Sequence, residues 1–60
     1  MSELHTLDEV AGALRVSRRT VERLVREGRI RVVRPSPGRV AVTSRELAAY
    51  LAHLEGRRVA

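Results

Sequence analysis

The sequence predicts a small α+β domain, mainly α-helical, with elements in the order helix, helix, β-hairpin, helix. Three observations carry this. Two apolar stripes at helical spacing flank a three-residue turn, two short valine-rich runs flank Pro35-Ser36-Pro37-Gly38, and two Thr-x-x-Glu sequences mark helix starts. Sixty residues make one domain over 1–60, with an ordered core over about 6–55 and a basic tail over 56–60. A chain this short buries only about 60% of its unfolded surface, so its stability margin is narrow.

The first helix is predicted to start at Leu7, because Thr6 and Glu9 form a capping box. Leu7, Val10, Ala11 and Leu14 then recur on one face. Arg15-Val16-Ser17 is the turn, and Ser17 is a good N-cap for a second helix that ends against Gly28. On that helix Val21, Leu24 and Val25 face inward, while Arg18, Arg19, Glu22, Arg23 and Arg26 face out. Ala11 is small enough to let the two helices approach, and Val16 is expected to be buried in the turn. The pair reads as a helix-turn-helix, whose second helix enters the DNA major groove.

Residues 1–5 are expected to be a frayed leader. After Gly28, Ile30–Arg34 reads as a strand, residues 35–38 as its turn, and Arg39–Val42 as the returning strand. Ile30, Val32, Val40 and Val42 form the expected inward set. Thr43 and Glu46 form a second capping box, opening a helix with Leu47, Tyr50, Leu51 and Leu54 on one face and Gly56 as its stop. A helix-turn-helix followed by a hairpin is a winged helix-turn-helix.

Composition narrows the chemistry. Tyr50 is the only aromatic among Phe, Trp and Tyr, so the core is aliphatic. There is no cysteine, hence no disulfide and no thiolate metal site. His5 and His53 lack partners at ligand spacing, and neither a nucleophile–base set nor a glycine-rich phosphate loop is present, so no metal, no cofactor and no enzymatic activity are expected. No stretch reads as a signal peptide, and no apolar run approaches the roughly 20 residues of a membrane span. A soluble intracellular protein without a membrane partner is expected.

The net charge is +5, and all twelve basic residues are arginine. A high-GC codon bias accounts for the missing lysine; the placement of the arginines is a separate signal. Arg18 and Arg19 open the second helix against the positive end of its dipole, where folding alone favours acids. Arginine reads guanine O6 and N7 as a bidentate pair, and Glu22 is able to accept from cytosine N4. The alternative is a solvated arginine face, with Glu22 paired to Arg26 at i+4 and Glu27 solvated. Arg34, Ser36 and Arg39 surround the rigid tip of the wing, which suits contact with the minor groove or phosphate. Thr20 either caps locally or contacts phosphate.

The sequence LDEVAGAL-RVSRRTVERLVREGRI, then GRVAV, then SRELAAYL, resembles the compact excisionase/MerR-like winged-helix proteins across residues 6 to 54. That family shows a T-x-x-E opening, a V-S-x-x-T-[VI] turn, a REG helix end, a G-R wing and an acidic-Leu start to its last helix. Members include phage excisionases, also called recombination directionality factors, and small transcriptional regulators. The likeness is greatest to excisionases of phages from high-GC actinobacteria. It implies DNA contacts from Ser17, Arg18, Arg19, Thr20, Glu22, Arg23 and Arg26 on the recognition helix, joined by Arg34, Ser36 and Arg39 on the wing. It also implies double-stranded DNA as partner, cooperative self-association along direct repeats, DNA bending near an attachment site, a partner integrase, and the cytoplasm of a bacterial host. A small MerR-like transcriptional regulator is the alternative, and a protein–protein adaptor a third reading.

Two positions depart from the family. Its first turn residue is usually a left-handed glycine, but here it is Arg15, at a strain of about 1 kcal/mol. Either the turn differs, or Arg15 contacts the DNA backbone. The usual aromatic after the wing Gly-Arg is Val40, which thins the core beneath the wing.

Overall fold

A computed structural model describes residues 3–58. In chain order the elements are β1 (Leu4–His5), α1 (Leu7–Leu14), α2 (Arg18–Arg26), β2 (Val42–Thr43) and α3 (Ser44–Arg58). Three helices and a small antiparallel sheet make the mainly helical, winged helix-turn-helix architecture that the sequence predicts.

Local chemistry sets the ends of α1 and α2. The Thr6 hydroxyl accepts from the Glu9 N–H at 3.0 Å, and the Glu9 carboxylate accepts from the Thr6 N–H at 2.9 Å, closing the capping box. Ser17 caps α2 by accepting from the Thr20 N–H at 3.2 Å. Both helices end in the same motif. Val16 N–H donates to the Ala11 carbonyl and Arg15 N–H to Gly12; after α2, Arg29 N–H donates to Leu24 and Gly28 N–H to Val25. These are Schellman pairs, which need a left-handed residue just past the helix. Gly28 supplies it with φ 78°, and Arg15 with φ 60° and ψ 42°. Arg15 therefore takes the left-handed conformation expected of a glycine at this position.

The core is Val10, Ala11, Val21, Leu24, Ile30 and Val42, with Leu7, Leu14, Val25, Val32, Leu47 and Tyr50 packed around it. Fully burying an aliphatic side chain of this size contributes about 1.5–3 kcal/mol. Val16 is not part of this core and stands 38% exposed, contrary to expectation. Its backbone closes the Schellman motif, while Ala11 and Val21 fill the corner between the helices beneath it.

The wing is slighter than the sequence suggests. Its limbs meet at one bridge, where Val33 and Ala41 exchange two backbone hydrogen bonds of 2.8 and 2.9 Å. The longer pairing joins β2 to β1, with Leu4 opposite Thr43 and His5 opposite Val42. The leader is thus held rather than frayed at residues 3–5, while Met1 and Ser2 lie outside the described residues. Its anchor is the Glu3 carbonyl, which accepts from the Ser44 N–H at 2.8 Å, while the His5 Nε2 and the Ser44 hydroxyl are 2.8 Å apart. Successive backbone groups point to opposite strand edges, so Ala41–Thr43 is a middle line between Val33 and β1. Ala41 and Val42 are both buried, while Val32 and Val40 are only half-buried.

The second expected capping box is half made. Glu46 N–H donates to the Thr43 hydroxyl at 3.0 Å, but the Glu46 carboxylate accepts from the Arg31 N–H at 3.0 Å, tying α3 to the chain entering the wing. Nor does Gly56 stop α3, which continues to Arg58. A helical glycine costs only about 1 kcal/mol relative to alanine, too little to break a helix by itself. Arg57 and Arg58 of the expected tail are therefore helical, and Val59 and Ala60 lie outside the described residues.

Candidate nucleic-acid interface

Helix α2 buries Val21 and Leu24 and turns its charged face outward. Arg19, Arg23 and Arg26 are exposed and share one stripe at i, i+4 and i+7. Among the described residues none of the three has an ion-pair partner; the arginines so paired are Arg18 and Arg29. Among the described residues, three cations thus project from this helix with no acid within ion-pair distance.

Arg18 is different. Its Nη1 lies 3.1 Å from Asp8 Oδ2, and its Nε lies 3.2 Å from Glu22 Oε2. This corrects two expectations. The first turn of α2 has no acid, but Asp8 of α1 supplies one from the neighbouring helix, so a bound phosphate is not required to explain Arg18 at the positive end of the dipole. Glu22 pairs with Arg18 and not with Arg26. A helical side chain leans toward its own N-terminus, and the dipole draws a carboxylate the same way, so Glu22 reaches back one turn. Glu27 pairs with Arg29 at 3.0 Å instead of being solvated. All these side chains are about half-exposed or more, so each pair is worth only about 0.2–1 kcal/mol.

The hydroxyls of Ser17 and Thr20 lie 3.1 Å apart, and Ser17 is already the cap of α2. Thr20 therefore supports the cap in this structure. The Arg18 and Arg19 N–H groups have no acceptor among the described residues and point out of the helix start.

The wing tip closes with Arg39 N–H donating to the Ser36 carbonyl at 3.0 Å. Pro37 at the second position and Gly38 at the third, with φ 78°, form a type II turn. Arg34 and Arg39 are exposed and Ser36 is half-buried. A cleft of about 370 Å³ lies between the start of α1 (Thr6, Asp8), Arg18, and the wing residues Gly38 and Arg39. The start of α2 and one limb of the wing are therefore adjacent; Arg34, on the other limb, does not line this cleft. Asp8 is a residue that sequence reasoning had no cause to select, since only the crossing of α1 over α2 brings it to Arg18.

Among the described residues no three of His, Cys, Asp and Glu are grouped to hold a metal ion, and no helix is long and apolar enough to cross a membrane. Tyr50 is half-buried against the core, with the His53 ring 6.5 Å away, and so offers no open stacking platform.

No curated protein and no solved structure matches the chain. Residues 6–54 match the helix-turn-helix domain, a DNA-binding domain found in excisionases and MerR-like proteins and typically without enzymatic activity. That match runs from the first capping threonine to Leu54 of α3, and the chain belongs to the helix-turn-helix domain family.

Proposed function

We propose that this protein is an excisionase: it binds double-stranded DNA sequence-specifically beside a phage attachment site, bends it, and directs an integrase toward excision in a bacterial host's cytoplasm. The observation that carries the DNA reading is the unpaired stripe Arg19–Arg23–Arg26 on the exposed face of the second helix. In the major groove, Arg19 and Arg23 reach base edges, Glu22 accepts from a cytosine amino group, and Arg26 meets phosphate. The open N–H groups of Arg18 and Arg19, next to the Ser17–Thr20 cap, suit one phosphate at the helix start. Arg34, Ser36 and Arg39 bring the wing to the adjacent backbone or minor groove.

The excisive role rests on the family resemblance. One helix-turn-helix domain covers few base pairs and gains affinity from neighbours. Head-to-tail contacts along direct repeats, with the wing of one copy against the leader or α3 of the next, form a heterologous interface that need not close. Bending accumulates as successive copies grip one face of the duplex.

The test is electrophoretic binding and footprinting on the DNA flanking the gene, with one, two and three repeats, at two salt concentrations. Cooperative, salt-sensitive occupancy next to an attachment site supports the proposal. Equal affinity per site removes the cooperative element, occupancy of a promoter instead assigns a transcriptional regulator, and no salt-sensitive binding assigns a protein–protein adaptor.

A further inference from the structure

The chain Asp8–Arg18–Glu22 spans the corner between α1 and α2 and ends on a residue of the outward face. Both links are solvent-exposed, and pairs of that kind contribute little to stability. What they do constrain is orientation. A glutamate on an open helix face samples several rotamers, and fixing one of them before DNA arrives removes an ordering cost from binding. Arg18 is well made for this: its fork offers Nε to Glu22 and Nη1 to Asp8 at the same time, at 3.2 and 3.1 Å. One Glu22 oxygen is taken by Arg18, and the other keeps its capacity to accept. Asp8 in turn is placed by the capped start of α1, three bonds of which are fixed by Thr6 and Glu9 or follow directly from them.

We propose that the side chain of Arg18 is a positioning group and not itself a DNA contact: held by Asp8, it orients the Glu22 carboxylate to accept from a cytosine amino group, and so sets the base preference at that pair. This rests on the DNA-binding reading above, and it assigns a division of labour within it. Arg19, Arg23 and Arg26 supply charge and their own contacts, whereas Arg18 spends its charge inside the protein.

The experiment is in vitro selection from a random duplex pool with wild-type protein, Glu22→Ala, Arg18→Met, Arg18→Lys and Asp8→Asn, followed by anisotropy titrations on the selected duplexes at several salt concentrations. Glu22→Ala is expected to flatten one base-pair position that wild type prefers by about tenfold. Arg18→Met is expected to flatten the same position while the slope of log K against log salt stays as in wild type. Arg18→Lys and Asp8→Asn fall between, since each leaves one half of the link. If Arg18→Met does not retain its thermal melt, Asp8→Asn carries the test, because it leaves α2 unaltered.

The proposal is overturned if Arg18→Met keeps the base preference and loses about 0.9 from the salt slope, which makes Arg18 a phosphate contact. It is overturned equally if Arg18→Met flattens a position that Glu22→Ala leaves intact, if Arg18→Met selects as wild type does, or if Glu22→Ala changes no position. Enrichment of no sequence by wild type overturns the DNA-binding reading, and this inference with it.

Discussion

Arg15 holds the left-handed position that ends α1, and replacing it with glycine tests how the turn is built. A non-glycine residue in this conformation costs about 1–2 kcal/mol. Glycine returns about 0.5–1 kcal/mol of that through the greater freedom of the unfolded chain. The remainder is about 0–1.5 kcal/mol, and its midpoint, about 0.75 kcal/mol, is the expected stabilisation of Arg15→Gly. In a domain of this size 1 kcal/mol moves the melting midpoint by about 4–8 °C, so the variant should melt about 3–6 °C higher. The Arg15 side chain is exposed and has no ion-pair partner among the described residues, so its removal loses no folded-state contact of that kind.

Gly28 provides the mirror experiment inside the same molecule, because it ends α2 in the same motif with φ 78°. A Cβ added there meets nothing within 4 Å, so Gly28→Ala changes backbone energy alone and should lower the midpoint by a similar amount. Melts followed by circular dichroism at 222 nm read both. If Gly28→Ala lowers the midpoint and Arg15→Gly fails to raise it, the strain assigned to Arg15 is refuted. The same protein then separates stability from binding. If Arg15 grips a DNA phosphate, Arg15→Gly melts higher yet binds more weakly, with a salt slope shallower by about 0.9.

Three further outcomes are expected. Arg23→Ala should cost about 1–3 kcal/mol on a specific site and relax one base position, with the melt unchanged; an equal loss on specific and random duplexes, read by anisotropy, reassigns Arg23 to phosphate. Arg39→Ala should weaken binding to all DNA by a similar factor, reduce the salt slope by about 0.9 and lessen bending in a circular-permutation assay; unaltered slope and affinity make the wing a lid over the core. Ile30→Ala, at a position 2% exposed, should cost about 2–5 kcal/mol and Ile30→Val about 0.5–1.5 kcal/mol in urea denaturation. Equal costs would mean that the site collapses around the smaller side chain.

What the sequence disclosed follows the range of the interaction. The caps at Thr6 and Ser17, the stripes of α1 and α2, and the Pro37-Gly38 turn are settled within four residues, and each is where the sequence places it. Pairings across the fold were not legible. The leader pairs with β2 across 39 residues from Leu4 to Thr43, and nothing in the polar-rich MSELH marks it as a strand. Glu46 sits where a capping box wants it, yet its carboxylate takes the Arg31 N–H, because the chain entering the wing brings an unpaired donor alongside α3. Of the candidate site, the exposure of Arg19, Arg23 and Arg26 followed from helical periodicity alone, whereas the commitment of Arg18 to Asp8 required knowing how α1 crosses α2.

The long-range links also explain how a wing with one bridge is held in place. A hairpin of that size is marginal in water by itself. Here one limb continues as β2, which is held on its far edge by the leader, and the other limb is held at Arg31 by Glu46. Ser44 donates to the Glu3 carbonyl at the same end of β2, so the start of α3, the leader and the base of the wing form one hydrogen-bonded unit. One residue past that unit Thr6 opens α1, and two residues further on Asp8 faces Arg18 across the cleft that Arg39 also lines. The leader thus fixes the base of the wing and the start of α1 together. The two-residue β1 and the buried Ile30, which leads from α2 into the wing, thus both constrain the spacing between the wing and the recognition helix.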